Sequence, residues 1–283
     1  MYKKVLLIVV LLMLLAGNAS AALVGRWTFD DGTANDSVVT NHGTVSAGGA
    51  TIVTDAVRGK VLDLDGTTGY VTIPVAAFDT ICKTGGNKVT ISLWQYGDNI
   101  ASSDGVHHFM FHGRAGTVVT LGCYMLTNTG KIQFTTFTSD NAGKIPASAS
   151  EYNGQWNHYA YTFDSAINTI KIYQNGVLYA SSTGKNQSLI RTMTAFRLGA
   201  STITNPLNGA VQNFYSGMID DFRVYNRVLT DGEILTLAGG AAYIVPMNSP
   251  ANLVVKGVAG QEIINYKDFN VIAGNWLKEI LWP

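Results

Sequence analysis

The stretch GMIDDFRVYNRVLTDGEI, residues 217–234, contains a predicted β-strand with two carboxylates side by side. Successive side chains of a strand point to opposite faces. The alternation predicts that Asp220 shares one face with Phe222, whereas Asp221 shares the other face with Arg223. If the phenylalanine faces a core, Asp220 enters that core and needs a partner, because an isolated buried carboxylate is costly. Asp221 has a ready partner in Arg223.

Short strands separated by turn signals fill most of the chain before this stretch. The pair Asn175-Gly176 favours a tight hairpin, because both central positions of such a turn need positive φ. Strands at this spacing without intervening helices predict an all-β fold, a two-sheet antiparallel jelly-roll sandwich. The predicted strands are Val24–Phe29, Val61–Leu64, Tyr70–Ile73, Val89–Tyr96, His108–His112, Thr117–Leu126, Lys131–Phe137, Trp156–Phe163, Thr169–Gln174, Val177–Ser181, Phe196–Gly199 and Met218–Tyr225.

The phases of these strands predict which side chains form the core. We expect ten residues to be mostly buried: Trp27, Phe29, Leu62, Leu64, Leu93, Trp156, Tyr159, Ile172, Phe222 and Val224. One helix is predicted after the last strand, since Thr230 and Glu233 form a capping box ahead of an apolar run that ends at Gly239.

The N-terminus has the features of a secretory signal peptide. Lys3 and Lys4 precede an apolar run of 12 residues, which is shorter than the ~20 residues that span a bilayer. Ala19-Ser20-Ala21 provides a small-x-small cleavage signal. Residues 1–21 are therefore predicted to be removed on export, which makes the protein secreted, periplasmic or bound at the cell surface.

The composition argues against nucleic acid and anionic membranes as partners. Nineteen basic residues balance nineteen acidic ones, and charged residues make up only 13% of the chain. A partner with a strong negative charge attracts basic patches, and the sequence contains no run of like charge.

Six segments follow one another along residues 23–238 in an order that indicates a protein family: LVGRWTFDDGTANDS, GKVLDLDGTTGYVTIP, VTISLWQY, GQWNHYAYTFDSAINTIKIYQNGVLYAS, FRLGAS and GMIDDFRVYNRVLTDGEI. Together they resemble the LamG-like jelly-roll domain of the concanavalin A-like lectin/glucanase superfamily, in its bacterial exported form. The resemblance implies two antiparallel sheets packed face to face, with the first and last strands adjacent. It implies no activity by itself, because this fold carries enzymes, lectins and inert spacers.

The region after the sandwich, predicted to span residues 22–240, divides into two parts. Residues 241–260 read as a linker, and residues 261–283 read as an amphipathic helical tail. The tail resembles the second half of a dockerin repeat, with matches that include Asn265 and Asp268. The calcium-binding loop of such a repeat is degenerate here, so the alternative is a helix that docks its aromatic face on the sandwich or on a partner.

The sequence lacks the catalytic motifs expected of this fold. The resemblance implies that glycosidases of the superfamily carry E-x-D-x-x-E, which supplies two carboxyls about 5 Å apart. None of the four glutamates has an acidic neighbour at that spacing, and no G-x-S-x-G nucleophile elbow is present. His108 and His112 are about 13 Å apart along a strand, too far to share a metal ion. The sequence therefore predicts that the protein is not an enzyme.

The resemblance implies a structural calcium ion at Asp220. It brings the loop after the first strand close to the last strand, and this loop offers Asp30, Asp36 and Asn41 as oxygen ligands. The alternative is an aspartate cluster that caps backbone amides. The loop departs from the family pattern at Val38 and is one residue shorter, which affects Asn41 most.

The two cysteines, Cys82 and Cys123, are compatible with a disulfide in an exported protein. The alternative is two unpaired thiols. Neither cysteine has metal-ligand spacing.

Three functions remain open from the sequence. The preferred one is a non-catalytic exported recognition module that binds a glycan or a cell-surface partner. The others are a polysaccharide-acting enzyme, which the missing motif disfavours, and a structural surface or adhesion protein whose tail docks on a partner. Tyr215 is a candidate sugar contact, although a packing role is expected.

Overall fold

The alternation of apolar and polar residues produces strands throughout the main body of the chain. The structure is a computed structural model that describes residues 23–83, 87–100, 106–137, 140–186, 188–203 and 210–240, with the backbone of 256–257 and 261–262. The strands of the main body are β1 (Leu23–Trp27), β2 (Thr44–Val45), β3 (Ala50–Asp55), β4 (Gly59–Asp65), β5 (Val71–Thr72), β6 (Lys88–Gly97), β7 (His108–Ala115), β8 (Val118–Leu126), β9 (Ile132–Thr136), β10 (Asp140–Lys144), β11 (Asn157–Asp164), β12 (Thr169–Gln174), β13 (Val177–Ser182), β14 (Ala195–Leu198) and β15 (Ser216–Tyr225).

These strands form two antiparallel sheets that pack face to face, as the sequence predicted. The sheet that we call the terminal-strand sheet has the order β13-β12-β11-β6-β15-β4-β3, and β1 also pairs with β15. The second sheet has the order β10-β9-β8-β7-β14-β5-β2. The predicted adjacency of the first and last strands of the sandwich is confirmed, because β1 pairs with the second half of β15.

Strand β15 changes partner halfway along one edge. Residues Ser216–Ile219 pair with β4, and residues from Phe222 onward pair with β1, while β6 runs along the other edge. Asp220 and Asp221 lie at the change of partner. This position frees the backbone there to depart from a regular ladder.

The core lies between the two sheets, and aromatic rings join them. Phe111 of the second sheet lies 6.0 Å, centroid to centroid, from Phe222 of the terminal-strand sheet. Nine of the ten residues predicted as core are buried. Trp156 is the exception, because its ring is only partly buried. Each fully buried side chain of this size contributes about 1.5–3 kcal/mol of hydrophobic stabilisation.

Strands β2, β3 and β10 were not predicted from the sequence. Strand β2 has two residues, and β10 is the polar segment DNAGK at the edge of the second sheet. Edge strands of this kind lack the alternating apolar pattern by which strands are predicted. The predicted hairpin at Asn175-Gly176 is confirmed, with φ angles of 49° and 82°.

The predicted helix is also confirmed and spans Asp231–Leu237. Its capping box is formed by Thr230 and Glu233, whose side chains each accept a hydrogen bond from the other residue's backbone N–H. The helix belongs to the second of two compact units of the chain, residues 230–283, and the sandwich belongs to the first, residues 1–229.

The predicted signal peptide and most of the predicted linker and tail lie outside the described residues. Two strands with backbone coordinates alone, β16 (Lys256–Gly257) and β17 (Gln261–Glu262), form an antiparallel pair there. Within the described residues, no helix has the length and hydropathy of a membrane span.

Candidate functional site: the aromatic face of the terminal-strand sheet

One extra residue in β15 determines where Asp220 points. Asp220 and Arg223 are three positions apart, whereas their partners on β6, Trp94 and Ser92, are two positions apart. The extra residue, Asp221, has a positive φ of 48°, a backbone conformation that Asp tolerates better than most residues. The result is a β-bulge.

The bulge reverses the alternation that the sequence suggests. Ile219 and Phe222 are both fully buried in the core, so Asp220 lies with Trp94 on the outer face of the terminal-strand sheet. The prediction that Asp220 enters the core face is therefore wrong. Since side chains alternate with a period of two, one inserted residue moves every earlier side chain of the strand to the face opposite the one that a regular strand would give it.

Asp220 is nevertheless buried, and its partner is Arg58. Only 5% of Asp220 is exposed. Arg58 Nε lies 2.7 Å from Asp220 Oδ2, and the backbone N–H of Asp221 donates to Oδ1 at 2.7 Å. Burial raises the pKa of Asp220 to about 6, because desolvation outweighs the opposing charge and hydrogen bond of Arg58. At neutral pH the carboxylate is thus ionised and balanced by one guanidinium.

Asp55 orders the turn that presents Arg58. Its Oδ1 accepts hydrogen bonds from the backbone N–H groups of Val57, at 2.9 Å, and of Arg58, at 2.8 Å. The same oxygen accepts from Trp156 Nε1 at 3.1 Å. The turn between β3 and β4 is therefore tied to the loop that precedes β11.

Arg58 lies between two tryptophan rings. Its guanidinium carbon is 4.2 Å from the ring centroid of Trp94 and 5.4 Å from that of Trp156, both within cation–π range. Tyr96 extends the cluster, since its ring meets Trp156 edge-on with centroids 5.8 Å apart. All three rings are partly exposed. We call these three rings, together with Arg58 and Asp220, the aromatic face.

His158 supports the aromatic face from one side. Its ring meets Trp94 edge-on with centroids 5.4 Å apart, and only 2% of the residue is exposed. Burial lowers the pKa of His158 to about 3, so the imidazole is neutral at physiological pH.

Asp221 is bound by two arginines rather than one. Arg26 Nε lies 2.7 Å from Asp221 Oδ1, and Arg223 Nε donates to the same oxygen at 2.9 Å. The predicted pair with Arg223 is confirmed, and Arg26 adds to it. Burial alone would raise the pKa of Asp221, but hydrogen bonds from the two guanidinium groups outweigh burial and lower it.

The residues predicted to bind calcium are not assembled as one group. Asp36 Oδ1 accepts from the backbone N–H of Arg26 at 3.0 Å, and its buried Oδ2 has no hydrogen-bond partner. Asp30 is exposed, and the backbone oxygen of Asn41 accepts from the indole of Trp27. Among the described residues, no three acidic, histidine or cysteine side chains converge on a point that could hold a metal ion.

The ligand set does not fit a calcium ion for a second reason. Both carboxylate oxygens of Asp220 are already engaged, one by Arg58 and one by a backbone N–H. A cation at Asp220 would have to displace the guanidinium. Calcium binding by the protein thus stays a prediction from the sequence.

The cysteines are unpaired in the structure, which agrees with the alternative of two free thiols. Cys82 lies at the end of the short helix Asp79–Cys82, and Cys123 lies in β8. Both are buried in the core, where they pack as small apolar side chains. Burial raises the pKa of the Cys82 thiol to about 12, so it is unreactive at neutral pH.

His112 of β7 and His107, which precedes this strand, pack against neighbouring side chains. His112 is fully buried, and its Nδ1 lies 2.6 Å from Thr202 Oγ1. His107 stacks obliquely on Tyr124, with centroids 5.1 Å apart, on the outer face of the second sheet. Tyr215 is also fully buried, and its hydroxyl donates to Gln95. The packing role expected for Tyr215 is confirmed.

Three residues of the aromatic face were not predicted from the sequence to belong to a site, namely Trp94, Tyr96 and Arg58. Trp156 was predicted to lie in the core. A signal for two of them exists in SLWQY, residues 92–96. Leu93 faces the core, so the aromatic residues at positions 94 and 96 must face outward. Arg58 carries no comparable signal, since its partner is 162 positions away.

The architecture is that of a lectin-like β-sandwich, and family comparison agrees. Residues 65–235, more than half of the chain, match the model of the concanavalin A-like lectin/glucanases superfamily. The chain belongs to this superfamily. A search of curated proteins finds no significant match.

Several solved structures share the fold. Domain 4 of AbnA, a GH43 extracellular arabinanase from Geobacillus stearothermophilus in complex with arabinotriose, has 22% identity and a TM-score of 0.58, with 76% of this chain and 98% of that domain covered. The binding domain of botulinum neurotoxin DC in complex with SialylT has 13% identity and a TM-score of 0.57, with 77% of this chain covered. The serotype G binding domain also has 13% identity, with a TM-score of 0.58 and 77% of this chain covered. This chain spans about half the length of the two toxin domains, 51% and 50%.

Proposed function

We propose that the protein is a non-catalytic, exported recognition module and that the aromatic face binds a glycan. One observation carries the proposal, namely that Arg58 is held between two partly exposed tryptophan rings and paired with Asp220. The arrangement places flat apolar surface beside charged hydrogen-bonding groups. Sugars present the same combination of surfaces.

The chemistry of a pyranose or furanose ring suits this face. One side of a sugar ring is lined by C–H groups, which carry partial positive charge and pack on the negative face of an indole. The hydroxyls at the ring edge can accept from the guanidinium of Arg58 and donate to the carboxylate of Asp55. Trp94 and Trp156 supply the stacking surface. Because the rings are tied to β6 and to Asp55, little order has to be gained on binding.

The charges of the face support binding rather than hydrolysis. A retaining glycosidase needs two carboxyl groups about 5 Å apart on either side of the scissile bond. Asp220 is bound by Arg58, and Asp221 is bound by Arg26 and Arg223. Carboxylates that are ion-paired in this way are poor nucleophiles.

The solved structures that share this fold support a glycan as the partner. The sequence of the N-terminus supports export. A domain of an extracellular arabinanase and a toxin binding domain, which share this fold, were solved in complex with arabinotriose and with SialylT, respectively. The predicted signal peptide would bring this chain to the periplasm, the cell surface or the medium. A glycan of the extracellular environment or of a cell surface is therefore the partner that we propose.

A glycan array with four proteins tests the proposal. We expect the wild type to bind a set of glycans, and Trp94→Ala and Trp156→Ala each to weaken binding at least about tenfold, the effect of about 1.4 kcal/mol. Tyr124→Ala is the matched control, because it removes a partly exposed ring from the outer face of the second sheet. Binding that is lost in Tyr124→Ala and kept in both tryptophan variants would place the site on the other sheet. A wild type that binds no glycan would refute the proposal.

A further inference from the structure

Two arginines lie close together on the outer face of the second sheet, away from the aromatic face. They are Arg114 of β7 and Arg197 of β14, two strands that pair with each other. Phe111 and Phe196 are buried in the core, so the alternation along each strand turns both arginines outward. Arg197 lies directly opposite His112, which is two positions before Arg114. The two arginines therefore occupy diagonal positions, across which long side chains can meet.

Neither arginine has an acidic partner in the part of the chain that the structure describes. Strands β5, β7, β8, β9 and β14, which form the centre of the second sheet, contain no aspartate or glutamate. Arg58 of the aromatic face, in contrast, is paired with Asp220. The outer face of the second sheet thus carries two positive charges without a counter-charge.

Arg197 is held in place by contacts that leave part of its guanidinium group free. Its Nη1 donates to the backbone oxygen of Ser201 at 2.6 Å, and its guanidinium carbon lies 4.9 Å from the ring centroid of Tyr70. Its Nε and Nη2 form no hydrogen bond with any described residue. Burial lowers the pKa of Arg197, and the charge of Arg114 also lowers it, against an opposing effect of Tyr70. The two guanidinium groups are therefore near enough to repel each other.

His112 adds an unpaired donor beside the two arginines. The backbone N–H of Thr202 donates to Nδ1 of His112 at 3.0 Å, so the imidazole proton lies on Nε2. Burial, together with the two arginines, lowers the pKa of His112 to about 3, so the ring is neutral at physiological pH. Nε2 of His112 and Nε of Arg114 are both buried and have no hydrogen-bond partner among the described residues. Because buried polar groups are nearly always hydrogen-bonded, two such donors without an acceptor indicate a place that favours negative charge.

The charge of this place discriminates among anionic ligands. A guanidinium group forms parallel N–H···O bonds with carboxylate or phosphate oxygens. A phosphate monoester carries a charge of about −1.5 to −2 at pH 7 and balances both arginines, whereas a carboxylate carries a single negative charge. Thr72 of β5, which is exposed and lies directly opposite Arg197, can donate its hydroxyl to a further phosphate oxygen.

We propose that Arg114 and Arg197 bind a phosphate monoester group on the outer face of the second sheet. Because His112 is fully buried, the contacts of the ligand are the two guanidinium groups, and the imidazole N–H adds to the positive potential around them. The aromatic face lies on the other sheet, so this site does not rest on the proposed glycan binding. Since the two arginines come from strands that are distant in sequence, the chain contains no basic run that would indicate the site.

The test is isothermal titration calorimetry of the full protein with inorganic phosphate at constant ionic strength. We expect saturable binding by the wild type, and we expect Arg114→Gln and Arg197→Gln each to weaken it about tenfold or more. Lys131→Gln is the matched control, because it removes an exposed positive charge beside β9 of the same sheet, and it should leave binding unchanged. A wild type that binds no phosphate, or an equal loss of binding in Lys131→Gln, would overturn the proposal.

Thermal unfolding without phosphate separates a lost ligand contact from a damaged fold. We expect Arg114→Gln to melt at the temperature of the wild type or above it, because the substitution removes a repulsion between like charges. A clear drop in the melting temperature would show that Arg114 already has a structural partner, which contradicts the proposal.

The pH dependence of binding tests the role of the ligand charge. The second pKa of a phosphate group is about 6, so the affinity for phosphate should fall several-fold from pH 7.5 to pH 5. Sulfate keeps two negative charges at both pH values, and its affinity should stay the same because His112 is neutral throughout. Equal falls for the two anions would assign the titration to the protein and contradict the proposal.

Vesicles of phosphatidylcholine with and without phosphatidic acid distinguish a lipid headgroup from a soluble ester. We expect neither kind of vesicle to bind, because the chain has no basic run that attracts a bilayer surface. Binding that requires phosphatidic acid and is lost in Arg114→Gln would support the site and assign the phosphate to a lipid. Equal binding of both kinds of vesicle by the wild type and Arg114→Gln, without binding of free phosphate, would overturn it.

Discussion

Asp220 and Asp221 are neighbours in sequence, and both are largely buried, yet their surroundings shift the two pKa values in opposite directions. Asp220 meets one guanidinium, and burial raises its pKa to about 6. Asp221 meets two guanidinium groups, and their hydrogen bonds lower its pKa in spite of burial. The comparison shows that the number of charged partners, and not burial alone, determines the cost of a carboxylate in a sheet.

Of the variants that test this comparison, the removal of Arg58 should cause the largest loss of stability. In Arg58→Leu, Asp220 is left in a buried position without a counter-charge, and both tryptophan rings lose their cation. Since breaking a buried pair from one side costs 3–5 kcal/mol and Arg58 is partly exposed, we expect a loss of about 3 kcal/mol. Urea unfolding of the wild type and the variant measures it.

The double variant Arg58→Leu/Asp220→Leu provides the control for that experiment. It removes both charges, so much of the lost stability should return. A single variant as stable as the wild type would show that Asp220 has another partner or is protonated at neutral pH.

The pH dependence of stability should show the burial of Asp220. Because its pKa in the folded protein, about 6, is above the ordinary value of 3.8, the folded state binds this proton more tightly than the unfolded state. The stability that the protonated carboxyl of Asp220 contributes is present at low pH and is lost as the pH rises through 6. Relative to Asp220→Asn, the wild type should lose on the order of 2 kcal/mol between pH 4 and pH 7.

Urea unfolding at several pH values checks this prediction. Asp221→Asn is the matched control, and its difference from the wild type should have the opposite slope, because the pKa of Asp221 is lowered. Parallel pH profiles for the wild type and Asp220→Asn would contradict the environment that the structure gives to Asp220.

Arg26→Leu should have a much smaller effect than Arg58→Leu. Asp221 keeps Arg223 in this variant, and the side chain of Arg26 is 38% exposed. Ion pairs at such positions contribute about 0–1 kcal/mol, so we expect a loss of about 0.5 kcal/mol in urea unfolding. A loss of stability as large as that of Arg58→Leu would show that Arg223 alone cannot balance the charge of Asp221.

Calcium should have the smallest effect on stability. Among the described residues, the carboxylates that were predicted to share the ion form no metal-binding group of three, and Asp220 is engaged by Arg58. We expect the same melting temperature, within about 1 °C, in excess calcium and in chelator. An ion bound at a hundredfold excess over its Kd would add about 2.7 kcal/mol, and a corresponding rise in melting temperature would support the calcium site that the sequence predicts.

Much of the fold could be predicted from the sequence because it depends on local patterns. Alternation located β6, β11 and β12, the pair Asn175-Gly176 located the hairpin between β12 and β13, and Thr230 located the helix start. The bulge could not be predicted, because it depends on the change of partner from β4 to β1 along one edge of β15. The assignment of Asp220 to the core failed for this reason.

The candidate site was less predictable than the fold, because its members come from distant parts of the chain. Trp94 is on a central strand, Trp156 precedes β11, and Arg58 is in the turn after β3. Their contacts arise from the order of strands in the sheet, which the family resemblance implies only in outline. Trp156 was assigned to the core because its aromatic character suits a core as well as a binding face.

The most direct test of the account is a crystal structure of the protein with a glycan selected on the array. We expect a sugar ring stacked on Trp94 or Trp156, with its hydroxyls bonded to Arg58 and to Asp55. The ion pair between Arg58 and Asp220 should remain in place. A glycan bound on the outer face of the second sheet beside Tyr124, with the aromatic face empty, would contradict the central claim.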